Sequence, residues 1–296
     1  MNYNGTIYRP PVEANTLLLP ITEGCSHNSC SYCNMYANVK FRMLSLAQVE
    51  EFLAEIVKFH GSYAREATRI YLVGGDPFAL GTKKLLARIE LIKKYLPNIK
   101  TITMYARIDN IAAKSDEELI ALKEAGVDDL YIGIESGLNA VMRNLGKGYD
   151  ADDSKTQCLR LNKIGISHCD LLMLGTAGHG MASESARAMA RLENEIKPSK
   201  ILLNTMSAFK DTRLNEQILN GEFIPASEKE ILEEEREFIA NLELEGTYFW
   251  ALHPFDSVRI DGMLNTHKEK MLSKLDFAIK TIGEKNLNRV SISGSL

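Results

Sequence analysis

What this sequence lacks sets its first limits. No stretch approaches the roughly eighteen apolar residues that a membrane-spanning helix needs. The N-terminus, MNYNGTIYRPPVEANTLLLP, has no charged start followed by a long apolar run, so it does not read as a signal peptide. These two absences point to a cytoplasmic protein with no membrane partner. Neither sign of charge is in large excess: a net charge of −4 gives no electrostatic case for nucleic acid. There are only five cysteines, and in a reducing compartment they are not a disulfide framework. Low-complexity linkers and sequence repeats are absent too.

What is present is ordinary for a globular chain. Its 296 residues, 45% hydrophobic and 25% charged, are ample for a real core. Short apolar runs alternate with amphipathic stretches. TLLLPIT (16–22), RIYLVGG (69–75), TITMYAR (101–107), DLYIGIES (129–136), CDLLMLG (169–175) and KILLNTMS (200–207) read as strands. Helical patterns fall near 46–60, 82–96, 115–125, 152–164, 183–196 and 227–243, and a last one near 266–282. SLAQ (45–48), SDEE (115–118), SEKE (227–230) and THKE (266–269) carry the capping-box pattern expected at helix starts. An extra strand-like TYFWAL lies at 247–252.

Strands that are apolar throughout and separated by helices indicate a parallel sheet covered by helices. Six strand–helix units are too few for a closed eight-unit barrel, so an open one or a doubly wound sheet is expected. In both, the C-terminal ends of the strands carry the chemistry. Cys25, Cys30 and Cys33 lie just after the first strand, in EGCSHNSCSYCNMY. Clustered thiols bind a soft metal as thiolates, and loop cysteines at such spacing can wrap an iron–sulfur cubane. Three cysteines on four irons leave one iron open, as a catalytic metal site requires. By themselves the three also suit a zinc site completed by His27, His168 or Cys169.

With these motifs in this order, roughly residues 16–210 resemble the radical S-adenosylmethionine (SAM) enzymes. The likeness is closest to the branch with oxygen-independent coproporphyrinogen dehydrogenases and methylthiotransferases. The resemblance implies an α/β fold, an open partial (β/α)6 barrel of parallel strands, here with a small C-terminal strand/helix extension. It implies residues 1–15 as an N-terminal extension, 16–243 as the barrel and 244–296 as the extension that closes or lines it. It also implies a [4Fe–4S] cluster ligated by Cys25, Cys30 and Cys33, with SAM on the fourth iron. Reductive cleavage of SAM to methionine and a 5′-deoxyadenosyl radical would follow, in an oxygen-sensitive enzyme supplied with electrons by a flavodoxin or ferredoxin.

The remaining cofactor contacts are implied residue by residue. Tyr32 fills the aromatic position before the last cysteine. GGDP (74–77) resembles the family's GGEP, with Gly74 and Gly75 meeting the methionyl amine and Asp76 in place of Glu. Glu135 in IGIESG and Lys147 in LGKGY fall where relatives contact SAM, and LLMLGTAG (171–178) resembles the segment beside adenine and ribose. The loop has one residue more than the commonest C-x3-C-x2-C spacing, the usual proline after the fifth strand is missing, and Asp170 is one residue out of register for ribose.

Other features narrow the function. Cys158 and Cys169 read as buried small hydrophobes, leaving too few thiols for a second cluster. With the first strand near residue 16, neither a cobalamin domain before the barrel nor an RNA-binding domain after it is expected. The substrate is then an unidentified small molecule or peptide. TYFWALHPFD (247–256) holds the only tryptophan and His253. Its aromatics can pack the C-terminal helix, or His253 can contact substrate or donate a proton. The reading from a different class is a non-catalytic iron–sulfur or zinc protein that binds metal for structure or sensing.

Overall fold

The computed structural model describes residues 6–283. Residues 1–5 and 284–296, the ends of the two expected extensions, lie outside the described residues. The strands that position the site are β1 (Leu17–Pro20), β2 (Arg69–Val73), β3 (Thr101–Ala106), β4 (Leu130–Glu135), β5 (His168–Leu174), β6 (Lys200–Thr205), β7 (Tyr248–Ala251) and β8 (Ile260–Met263). They belong to a mostly parallel sheet whose order follows the sequence, as in an open (β/α)6 barrel. Six were expected from the apolar runs, and β7 from TYFWAL.

The chain divides into two compact units. The first comprises the residues through Asn28, Met35–Gly133 and Gln157–His168. In it β1 pairs parallel with β2, β2 with β3, and β3 with β4. Consecutive residues are buried in Ile70, Tyr71, Leu72 and Val73, in Ile102, Thr103 and Met104, and in Leu130, Tyr131 and Ile132, so both faces of these strands are covered. Double coverage is why they read as unbroken apolar runs rather than alternating ones. The helices Leu46–His60 and Asp116–Glu124 start at capping boxes, Ser45 with Gln48 and Ser115 with Glu118.

The second unit comprises Ser29–Asn34, Ile134–Thr156 and the residues from Cys169 onward. Here β5 pairs parallel with β6 and β6 with β7, while β8 returns antiparallel along β7. Helices Ala182–Ile196 and Glu228–Asn241 bury Met189, Ile196, Phe238 and Ile239, and the second helix starts at the Ser227–Glu230 capping box.

Several features depart from the sequence expectation. The strand β8, IDGM, is only four residues long and contains a glycine, too little for a periodic signal. The fourth capping box does not form: β8 runs directly into the helix Leu264–Thr281, so Thr266 lies inside the first turn and its hydroxyl bonds Asn265. Two seven-residue helices, Asn139–Leu145 and Arg213–Leu219, were not expected, and both brace the cysteine loop. Among the described residues no helix is long and apolar enough to cross a membrane.

Candidate active site

The cysteine loop leaves β1 and crosses from one unit into the other, so its two halves have separate surroundings. All five cysteines are thiols rather than disulfides; Cys25, Cys30 and Cys33 are half-buried, whereas Cys158 and Cys169 are fully buried, as their sequence settings predicted.

In the first unit, the loop's first arm is fastened to the turn after β2. The Gly75 N–H donates to Gly24 O at 2.9 Å, and a Cβ on Gly75 would come within 2.6 Å of Cys25 Cβ. Gly74, at φ +153°, has Thr22 Oγ1 only 1.9 Å from where a Cβ would sit. Both positions therefore demand glycine, and GGDP is a cradle that side chains would fill. Asp76 is fully buried; its Oδ1 accepts the Ser26 N–H at 2.8 Å, and Oδ2 accepts the Ser26 hydroxyl. The shortened acid thus pins the residue next to Cys25. Burial raises the Asp76 carboxyl above its ordinary range, while the Ser26 bonds and Arg107 oppose the rise.

Arg107 is a residue that sequence reasoning missed. It is buried just beyond β3, and the register of Leu72 opposite Met104 carries it level with Gly75. Its guanidinium forks onto Asp109 at 3.0 and 3.1 Å. Burial and the Asp76 charge push the Cys25 thiol up, and the Arg107 charge is among the groups that pull it down. Only its place at a strand's C-terminal end could have flagged it.

In the second unit, the loop's other arm is braced by backbone bonds. Ser31 N–H donates to Leu145 O and Ser31 O accepts from Leu214 N–H, both at 2.8 Å, tying the loop to the two short helices. Three sequence-predicted residues come together here. Tyr32 Oη donates to Glu135 Oε1 at 2.8 Å and Lys147 Nζ to the same oxygen at 2.9 Å. Glu135 ends β4 at φ +64°, a left-handed conformation that costs a non-glycine residue about 1–3 kcal/mol and persists only where its surroundings hold it. Burial works against the Lys147 charge, but Glu135, Tyr149, Tyr32 and Cys30 keep its pKa well raised. Burial and the Glu135 charge likewise push the Tyr32 phenol up.

Cys25 is half-buried beside the glycine cradle of the first unit, and Cys30 and Cys33 are half-buried on the arm braced in the second; thiols are the soft ligands that an iron–sulfur cluster takes. Asp170 is fully buried, and its charge adds to the burial that pushes the carboxyl of Glu193, on the helix Ala182–Ile196, well up. His253 lies in the connection from β7 to β8. Its ring meets Phe255 at 4.8 Å, Nδ1 accepts the Phe255 N–H at 3.3 Å, and burial lowers its pKa. Phe249 and Trp250 are buried, as the packing alternative expects of them.

Residues 19–183 match the family profile described as the radical SAM superfamily. Over 110 residues, 37% of this chain, the sequence is 29% identical to "Heme chaperone HemW" of Bacillus subtilis (strain 168). The matched stretches make up 29% and 37% of the curated relatives, so the chain spans well under half of their length. Among solved structures, coproporphyrinogen III oxidase (HemN) from Escherichia coli is similar with a TM-score of 0.55 at 18% identity. That alignment covers 76% of this chain and 51% of that one. Methylornithine synthase (PylB) is similar with a TM-score of 0.53 at 16% identity, over 88% and 81%. At such identities these structures share the fold.

Proposed function

We propose, from the premise that this chain belongs to the radical SAM superfamily, that Cys25, Cys30 and Cys33 ligate its cluster and that it abstracts hydrogen from an organic substrate. The chain is a radical SAM enzyme, with a [4Fe–4S] cluster and SAM as its cofactors. When bound, these supply an electron and a SAM-derived 5′-deoxyadenosyl radical able to take a hydrogen atom.

The chain's own residues hold and orient. Ser26 and Asp76 fix the Cys25 arm of the loop, and Ser31 fixes the Cys30 arm. The turn at Gly74 and Gly75 meets the methionyl amine with backbone alone. Lys147 is the charge for the methionyl carboxylate, held in place by Glu135, which Tyr32 also bonds. The observation that carries this reading is the Tyr32–Glu135–Lys147 assembly: residues 103 positions apart, picked out by motif, meet at hydrogen-bond distance. We assign His253, in the connection from β7 to β8, as a substrate contact. His253→Ala with intact iron and abortive SAM cleavage supports that role, and full product formation removes it. A flavodoxin or ferredoxin is the proposed electron donor.

Anaerobic reconstitution tests the reading. About four irons and sulfides per chain, with 5′-deoxyadenosine formed after dithionite reduction, are expected. Alanine at Cys25, Cys30 or Cys33 should abolish the brown absorbance and SAM cleavage, and alanine at Cys158 or Cys169 should spare both. Tight zinc without SAM cleavage would favour a structural or sensing metal protein instead. The likeness to a haem chaperone supports a second reading, haem binding, which hemin titration of the apoprotein tests; no saturable spectral shift removes it.

A further inference from the structure

The turn after β5 runs from Gly175 to Gly180, with glycine at three of its six positions. Two carboxylates from one helix, Glu228–Asn241, anchor its ends. Glu234 accepts the Gly175 N–H at 2.8 Å, with the glutamate only 2% exposed. Glu230 accepts the Gly180 N–H at 2.6 Å and faces His179 Nδ1 at 3.1 Å. At i and i+4 the two side chains share one face of the helix. Between the anchors, Gly178 sits at φ +81°, where a Cβ would lie 2.8 Å from Ile224 O, and the His179 N–H donates to that same carbonyl at 2.8 Å.

A carboxylate so deeply buried is a poor device for stability alone. Desolvation raises the Glu234 pKa to about 7, against the pull of its bond from Gly175. Burial would raise Glu230 too, but the N–H groups of Gly180 and Ser227 hold it at about 2. Apolar residues of similar volume often serve stability as well as buried charges do. What these two carboxylates supply, and apolar residues would not, is a fixed backbone conformation in a glycine-rich turn.

We propose that Glu230 and Glu234 are positioning residues for the cofactor site, holding the turn Gly175–Gly180 in the shape that receives the adenosyl half of SAM. The proposal rests on the reading that this turn lines that half.

The test uses the reconstituted holoenzyme with Glu234→Ala and Glu234→Gln, measuring iron content, SAM affinity and amide exchange across residues 175–181. Glu234→Ala should keep its iron, exchange faster at the turn and bind SAM about tenfold more weakly, because the loosened turn must be ordered on binding. Glu234→Gln keeps an acceptor for Gly175 and should restore most of the affinity, which a merely structural role would not require. Wild-type SAM affinity in Glu234→Ala overturns the proposal. If exchange at the turn is faster while affinity is unchanged, the clamp is real but serves another end. SAM cleavage and the cysteine ligands would then stand untouched. Should Glu234→Ala not fold, Glu230→Ala, which removes the other anchor, is read by the same two outcomes.

Discussion

Lys147 Nζ stands 2.9 Å from Glu135 Oε1, and the two side chains are only 5% and 8% exposed. The ion pair is therefore out of water, at the end of β4 where Glu135 holds a left-handed backbone. Such a pair contributes little over an apolar one, yet removing one partner strands the other charge.

Lys147→Met should accordingly lower stability by about 3–5 kcal/mol in anaerobic denaturation. Adding Glu135→Gln should recover part of that loss, because no buried charge is then left unpaired. SAM affinity should fall roughly ten- to hundred-fold in Lys147→Met with iron content intact. An unchanged denaturation midpoint in the single variant would show that the surviving carboxylate finds water, and the pair would lose its structural role.

Gly75→Ala tests the cradle without touching a ligand. The new Cβ would come 2.6 Å from Cys25 Cβ and 2.8 Å from Gly24 O, so the arm carrying Cys25 must move. We expect normal far-UV circular dichroism with a markedly reduced iron content. Gly81→Ala is the control, since a Cβ there meets nothing within 4 Å. Full iron in Gly75→Ala would mean that the loop yields freely and that the close approach is not needed.

Glu234 makes stability depend on pH. Its pKa is about 7 in the folded protein against an ordinary 4.5, chiefly from desolvation, with the Gly175 N–H and Ser185 opposing and the Glu230 charge adding to the rise. Between these values the folded state binds more protons than the unfolded state, so stability falls as pH rises from 4.5 to 7. The loss is about 3 kcal/mol for a shift of this size. Asp256, raised to about 6, adds a fall of the same sign over a lower window. Denaturation midpoints of wild type and Glu234→Gln, compared across this range, isolate the Glu234 part. Parallel curves would refute it.

Where the strands run was legible because β1 to β6 are buried on both faces, which writes each of them as an uninterrupted apolar stretch. Helix starts were legible wherever a serine and a glutamate or glutamine three residues on could satisfy each other locally. That local logic failed at Thr266, because β8 feeds the last helix three residues earlier than the motif suggests. Sequence order also placed the cysteine loop after the first strand, GGDP after the second and IGIESG at the end of the fourth, since in such folds the loops at the strand ends carry the chemistry.

The sequence by itself thus determined the fold class, the cofactors and which residues to consider for them. Only the tertiary structure decided what those residues do to one another. Glu135 and Lys147 read as two separate contacts, yet they are partners, since strand and loop bring them together across twelve positions. Asp76 read as a shortened glutamate, and the fold uses it to hold Ser26. Glu230 read as a helix cap and Glu234 as nothing in particular, but they reach a turn 50 and 59 positions away. Periodicity and capping are local in the chain and survive in its sequence. Contacts between distant segments depend on how the elements pack, and no local pattern records that.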